Sequence, residues 1–324
     1  MELDARIFVA GHKGLVGSAL CRRLHAAGYT AVLTADRAEL DLRDRAAVEC
    51  WFRDNRPEYV FMAAGTVGGI MANATRPAEF IFDNLAMQIA VAHAAYLSGT
   101  TKLLMLGSSC IYPRECPQPI KEEYLLTGPL EPTNEPYALA KIAAIVMGRA
   151  YRTQYGCQVL SVMPCNLYGP HDNFDVTSGH VLPAMIHRFH QARLKGERAL
   201  TFWGTGAPMR EFLHVDDMAD ACLYLMAHYN DGEHINIGTG EEISIRDLAL
   251  LVRDVVHPDA TVAFDHEKPD GCPRKVLDVS KLHRLGWRHA MALRAGVLQT
   301  YEWFIERLAT GDPYPRGTHD RHAS

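Results

Sequence analysis

Five short apolar runs punctuate the first half of the chain: "RIFVA" (6–10), "AVLT" (31–34), "YVFMAA" (59–64), "KLLMLGSS" (102–109) and "CQVLSVMP" (157–164). Between them lie longer stretches of helical character, such as "LVGSALCRRLHAAG" after the first run and "YALAKIAAIVMGRAY" before the last. Strands that are continuously apolar, rather than alternating, belong in a parallel sheet buried on both faces. The βα rhythm therefore predicts an α/β fold of the doubly wound, Rossmann type. After Pro164 the pattern changes to irregular stretches with Gly, Pro and Trp among short strands and helices. This predicts a first lobe over residues 1–164 and a smaller α/β lobe over most of 165–324. Segments around 212–238, including "HVDDMADACLYLMAH" and "HINIGTG", are expected to return to the first lobe.

Composition narrows the function classes. The 324 residues can build one large or two modest domains, and 48% hydrophobic with 22% charged residues is ordinary for a globular protein. A net charge of −5 without a basic run argues against a nucleic-acid or membrane surface. The apolar run at the start is too short for a signal peptide, and no segment is expected to approach a membrane span. Eight scattered cysteines without a C-x-x-C pair or zinc spacing suggest a reducing cytosol and no metal site.

The turn after the first run is "GHKGLVG", with Gly11, Gly14 and Gly17 spaced G-x-x-G-x-x-G. Such glycines allow a tight turn and let the backbone approach a pyrophosphate at the start of the next helix. Asp36 and Arg37 follow the second strand, so a ribose diol and a ribose phosphate would each find a partner there. Lys13 adds a second cation, and two cations against one acid favour NADPH. Tyr137 and Lys141 stand four apart on one helix and so share a face. A phenol near pKa ~10 is a poor acid–base catalyst at neutral pH, and a neighbouring ammonium is expected to lower that value. "GSSCIYP" (107–113) sets Ser108, Ser109 and Cys110 at a strand end. For a lone cysteine, packing is the plain role.

These motifs together resemble the extended short-chain dehydrogenase/reductases. Longer strings, "LEPTNEPYALAKIA", "VMPCNLYGPHDNFD", "HVLPAMIHRFHQA", "WGTGAPMREFLHVDDMA" and "KPDGCPRKVLDV", resemble the GDP-L-fucose synthase family of epimerase–reductases, from about residue 6 to about 305. Lys13 departs from the arginine more usual there but keeps the charge. The resemblance implies epimerisation at C3 and C5 of a GDP-4-keto-6-deoxymannose, then NADPH-dependent reduction at C4. It implies Cys110 as the base, His180 as the acid that reprotonates, and Tyr137 as the donor to the C4 oxygen. Ser108 would support the same oxygen, and Lys141 would tune Tyr137 and bind the cofactor ribose.

Cofactor contacts are implied at Gly11, Lys13, Gly14, Leu15, Val16 and Gly17. Others fall at Arg37, Asp41, Leu42, Ala63, Ala64, Leu106, Gly107, Lys141, Pro164, Asn166, Leu167 and His180. For the substrate, Arg188, Arg210 and Lys275 would meet the diphosphate, Trp203 and Asp270 the nucleoside or sugar, and Ser109 the sugar. A cytoplasmic homodimer built on residues 78–97 and the Tyr137 helix is also implied. Rival readings are the same chemistry on a colitose or deoxyheptose precursor, an NAD-dependent nucleotide-sugar epimerase or dehydratase, and a non-catalytic NADP sensor. Ser109-Cys110 in place of an acid argues against dehydration, and the presence of both Tyr137 and Lys141 argues against the sensor. The tail "DPYPRGTHDRHAS" lies outside the strings that carry the resemblance and is expected to fray.

Overall fold

The computed structural model describes residues 1–311; the tail expected to fray, 312–324, lies outside the described residues. The first lobe opens with β1 (Ile7–Ala10), α1 (Leu15–Ala26), β2 (Val32–Leu33), α2 (Arg45–Asn55) and β3 (Tyr59–Met62). It continues through α3 (Ile70–Thr75), α4 (Pro77–Leu97), β4 (Lys102–Leu106), α5 (Glu135–Tyr155) and β5 (Val159–Pro164). The chain then passes to β6 (Asn166–Tyr168), α6 (Val181–Lys195), β7 (Ala199–Trp203) and β8 (Met209–Arg210). It returns with β9 (Phe212–His214), α7 (Val215–His228) and β10 (Ile235–Ile237). Last come β11 (Ile243–Ser244), α8 (Ile245–Val256), β12 (Thr261–Asp265), β13 (Arg274–Lys275), α9 (Ser280–Arg284) and α10 (Leu293–Ala309).

Six strands form one sheet in the order β2–β1–β3–β4–β5–β10, every neighbour parallel. Successive residues alternate between two cores. Ile7 and Val9 pack with α1 and α7, and Phe8 and Ala10 pack with α2 and α4. Period-two alternation with both faces covered explains why the strands read as unbroken apolar runs. A separate core joins α6, α8 and α10 with β7. Leu277, Val279, Leu282 and Trp287 pack in the first lobe's core, not the second's. Residues 277–287 thus return to the first lobe as well, which the division at 164 did not anticipate.

One expectation needs correction. Pro77–Leu97 is long and apolar enough to cross a membrane by length and composition. In the fold this helix packs against α2 and α5, with Phe80, Ala90, Val91, Ala94 and Ala95 buried. On the other face of the sheet, the buried ammonium of Lys102 donates to the carbonyls of Leu225, Met226 and Tyr229 at 3.1, 2.8 and 2.6 Å. It thereby neutralises the negative end of α7. Burial pulls its pKa down to about 8.

Chain order reverses at β1: β2 lies on one side of it and β3 on the other. The crevice this leaves at the strand ends is the place where α/β sheets take ligands. Two glycines close it. Gly11 has φ +86°, and a Cβ there would lie 2.7 Å from Ala64 N; a Cβ on Gly17 would lie 2.0 Å from Gly11 O. Gly14 is different, for its nearest such contact is Gly11 O at 3.5 Å. Gly17→Ala should therefore destabilise the protein by about 3 kcal/mol or more, by forcing backbone apart, and Gly14→Ala by only about 1 kcal/mol. Urea unfolding midpoints check this, and equal losses would refute the division of labour.

Candidate active site

Helix α1 begins with Gly14 as N-cap, with no capping side chain and no acid in its first turn. The amides of Leu15, Val16 and Gly17 occupy the first helical positions, where no intrahelical acceptor exists. They form a ready anion site at the positive end of the helix. Ala63 and Ala64 after β3, Leu106 and Gly107 at the end of β4, and Pro164, Asn166 and Leu167 at and beyond the end of β5 lie at the same edge of the sheet.

The charges at the rim differ from the sequence count. Lys13 Nζ lies 2.6 Å from Asp36 Oδ2, and His12 Nε2 lies 3.2 Å from Oδ1. The hydrogen bond from Lys13 holds the Asp36 carboxyl below its usual range. One of the two expected cations is thus engaged with the acid. Arg37 stays exposed, with Asp41 4.0 Å away and Asp41 itself gripped by Arg43 at 2.7 Å. Leu42 packs against the first lobe's core.

At the centre, β4 ends at Leu106, so Ser108 stands in the turn beyond the strand. Its Oγ accepts from Cys110 N at 3.2 Å and caps the single turn Ser109–Ile111. Ser109 is buried, and Cys110 is partly open to the cleft. From α5, Tyr137 comes to the same turn, close enough for Ser108 and Cys110 to act on its phenol in opposite directions. Its ring packs edge-on to Phe80, with centroids 6.2 Å apart. Lys141 is buried, donates to Leu106 O at 2.9 Å, and stands 5.7 Å from the Tyr137 ring centroid.

Burial governs both groups. It pulls Lys141 down to about 8 and pushes the Tyr137 phenol above its ordinary value, with Cys110 adding to the rise and Ser108 opposing it. The expected lowering of the phenol by Lys141 is therefore not what the geometry gives. The ammonium is turned to a backbone carbonyl, and desolvation outweighs it.

His180 is the N-cap of α6, without a capping hydrogen bond, on a loop held to Gly69 N by Ser178 O at 3.3 Å. Its residue surface faces outward, while the protein crowding its ring lowers its pKa. Arg188 lies along β7, donating to Thr201 O at 2.7 Å with its guanidinium 4.4 Å from the Phe202 ring centroid. Trp203 is 73% exposed at the end of that strand, a large aromatic face with Lys268 Nζ 5.9 Å from its ring centroid. Asp270 accepts from Thr205 N and Oγ1 at 2.9 and 2.7 Å, which locks the loop beside it. Arg210, half-buried on β8, donates to Met209 O at 2.7 Å and lies beside Lys275 in the parallel pairing of β8 with β13.

Lys275 reaches a place the sequence did not suggest. Its Nζ is 3.8 Å from Cys110 Sγ, within hydrogen-bond range of sulfur. A positive charge there attracts negative charge developing on the sulfur. Sequence reading also missed Glu211, a fully buried carboxylate between Arg210 and Phe212. Its only sequence signal is an acid set directly before the apolar strand "FLH".

The comparisons agree with this geometry. Residues 7–238 match the NAD dependent epimerase/dehydratase family. GDP-L-fucose synthase 1 of Arabidopsis thaliana is 54% identical over 307 residues, 95% of each chain. GDP-L-fucose synthase of Escherichia coli (strain K12) is 49% identical over 310 residues, 93% of this chain and 97% of that one. The solved GDP-L-fucose synthetase of Naegleria fowleri bound to NADP superposes with TM-score 0.90 at 32% identity, covering 96% of this chain and 95% of that one. On this evidence the chain belongs to the NAD dependent epimerase/dehydratase family.

Proposed function

We propose that this protein converts GDP-4-keto-6-deoxy-D-mannose to GDP-L-fucose, with NADPH as reductant. The observation that carries the reading is the convergence of Ser108, Cys110, Tyr137 and Lys141 at one strand end, with Lys275 against the Cys110 sulfur. The C4 ketone makes the protons on C3 and C5 acidic, because the carbanion at either carbon becomes an enolate. Cys110 removes each proton, and His180 returns one from the opposite face. The lowered pKa of His180 makes its protonated ring the stronger acid. Tyr137 donates a hydrogen bond to the C4 oxygen and stabilises the enolate. Reduction then calls for a proton at that oxygen, and a phenol whose pKa burial raises arrives with its proton in place. Ser108 supports the same oxygen.

The residues present fit a dinucleotide. Uncapped amides at α1 suit its pyrophosphate, the open face of Gly14 allows close approach, and Lys141 suits its ribose. NADPH supplies the hydride equivalent when bound. With Lys13 engaged by Asp36, Arg37 is the group left to grip a 2′-phosphate. Arg188, Arg210, Trp203 and Asp270 serve the GDP-sugar, the arginines at the diphosphate and Trp203 as a stacking face.

A second copy of the chain is the partner that fits the exposed apolar face. Phe82, Ile89 and Leu97 on α4, and Leu139 and Val146 on the adjoining α5, are exposed large hydrophobics. Spacings of seven set Phe82 with Ile89, and Leu139 with Val146, on single helix faces. This face supports a homodimer. Ile89→Asp should convert the dimer to monomer by light scattering after size exclusion; an unchanged mass would rule this face out.

Arg37→Ala should raise the KM for NADPH about tenfold and leave that for NADH within about twofold, since only NADPH carries the phosphate. Equal changes would assign the choice to Lys13 and Asp36. The decisive experiment identifies the product sugar by NMR after turnover in deuterated water. The wild type should give GDP-L-fucose labelled at C3 and C5. Cys110→Ser should still consume NADPH, slowly, and yield unlabelled product with the starting stereochemistry at both carbons. Normal labelling in Cys110→Ser would remove Cys110 from the mechanism.

A further inference from the structure

The chain passes between the lobes after β5, β8, β10 and β13, and one buried carboxylate sits among these passages. Glu211 directly follows β8. Its Oε1 accepts from Thr239 N at 2.6 Å and Gly240 N at 2.8 Å, just beyond β10. Its Oε2 accepts from Leu277 N at 2.9 Å, two residues beyond Lys275. The main-chain carbonyl of Glu211 accepts from Asn166 Nδ2 at 2.8 Å, at the start of β6. Gly238 makes room for the carboxylate, since a Cβ there would lie 2.1 Å from Oε1.

The residue type follows from this geometry. Both side-chain oxygens face N–H donors, and among the described residues no Lys, Arg or His forms a salt bridge with Glu211. Only an ionised carboxylate is acceptor on both sides; an amide must turn a donor toward one of them. A buried carboxylate is costly unless fully hydrogen-bonded, so the three amides and their segments are held together or not at all. Strand β13 is two residues long and, among the described residues, pairs only with β8, through Arg274 with Met209 and Lys275 with Arg210. So short a ladder is weakly held by itself. Its exit is anchored by the bond to Leu277 N together with a parallel bridge of Leu277 to Ile120 and the bond of Val276 N to Gln118 Oε1 at 3.0 Å.

We propose that Glu211 is a positioning residue for the epimerisation. By fixing the backbone at Leu277 to the lobe junction, it sets Lys275 Nζ against Cys110 Sγ. The inference rests on the reading of Cys110 as the group that removes the C3 and C5 protons. Glu211 touches no reacting atom and acts through Lys275.

The test is a double-mutant cycle of Glu211→Gln and Lys275→Met, read in two ways. The first readout needs no substrate: the rate at which iodoacetamide alkylates Cys110 in folded protein, followed by peptide mass spectrometry. Lys275→Met should slow it about tenfold and Glu211→Gln about three- to tenfold, and the double variant should be no slower than Lys275→Met. The second is deuterium uptake at C3 and C5 of GDP-4-keto-6-deoxy-D-mannose. It should fall in the same order, while the Kd for NADPH changes less than about twofold. Glu211→Asp keeps the charge and shortens the reach; it should show the same coupling and serves if Glu211→Gln does not fold. A purely structural Glu211 would lower Tm and leave Cys110 alkylation at the wild-type rate, or its effect would multiply with that of Lys275→Met. Either result overturns the proposal, as does an unchanged rate in Lys275→Met. If the wild type takes up no deuterium, the functional reading fails, while the alkylation cycle still decides whether Glu211 acts through Lys275.

Discussion

A parallel sheet covered on both faces can offer backbone and loop groups to a ligand only at its strand ends. In this chain the carboxyl ends of all six strands point the same way. Everything with chemical potential follows from that constraint. The glycine turn leaves β1, the Ala63-Ala64 pair leaves β3, the Ser108–Cys110 turn leaves β4, and Asn166 follows β5. The reversal of chain order at β1 opens the crevice, and the close approach of Gly11 to Ala64 and of Gly17 to Gly11 makes it narrow. No long-range steering is needed to gather these groups, because the hydrogen-bonded ladder gathers them.

Desolvation then decides how the gathered groups behave. Tyr137 and Lys141 are each driven toward their neutral forms, the phenol upward and the ammonium downward. For a residue that must deliver a proton during reduction, this is the useful direction. In the proposed reaction the phenol would keep its proton until charge builds on the substrate oxygen. Lys141, tied to Leu106 O, acts first as a fixed donor at the strand end and only second as a neighbour of the phenol.

Junction chemistry completes the site. Cys110 belongs to the first lobe and Lys275 to the second, so their contact depends on how the lobes are joined. Glu211 sits at that joint. Burial pushes its carboxyl above the usual range, and the amides of Leu277, Gly240 and Thr239 oppose the rise. The balance favours a rigid junction, because a lost amide leaves an uncompensated buried charge.

Legibility divides along the same physical line. Strands β1 to β5, the glycine turn and the shared face of Tyr137 and Lys141 were readable, because each is set by backbone geometry within a few residues. Family resemblance added candidate roles for Cys110 and His180 that spacing could not supply. Three features were decided only by the tertiary structure. Lys13 meets Asp36 across 23 residues, Leu277 meets Glu211 across 66, and Lys275 meets Cys110 across 165. The first spends a cation that a linear count left free, and the last turns a presumed diphosphate ligand toward the thiol. The sign of the Tyr137 shift was also illegible. Helical spacing says who is near, but desolvation depends on what the rest of the fold packs around them.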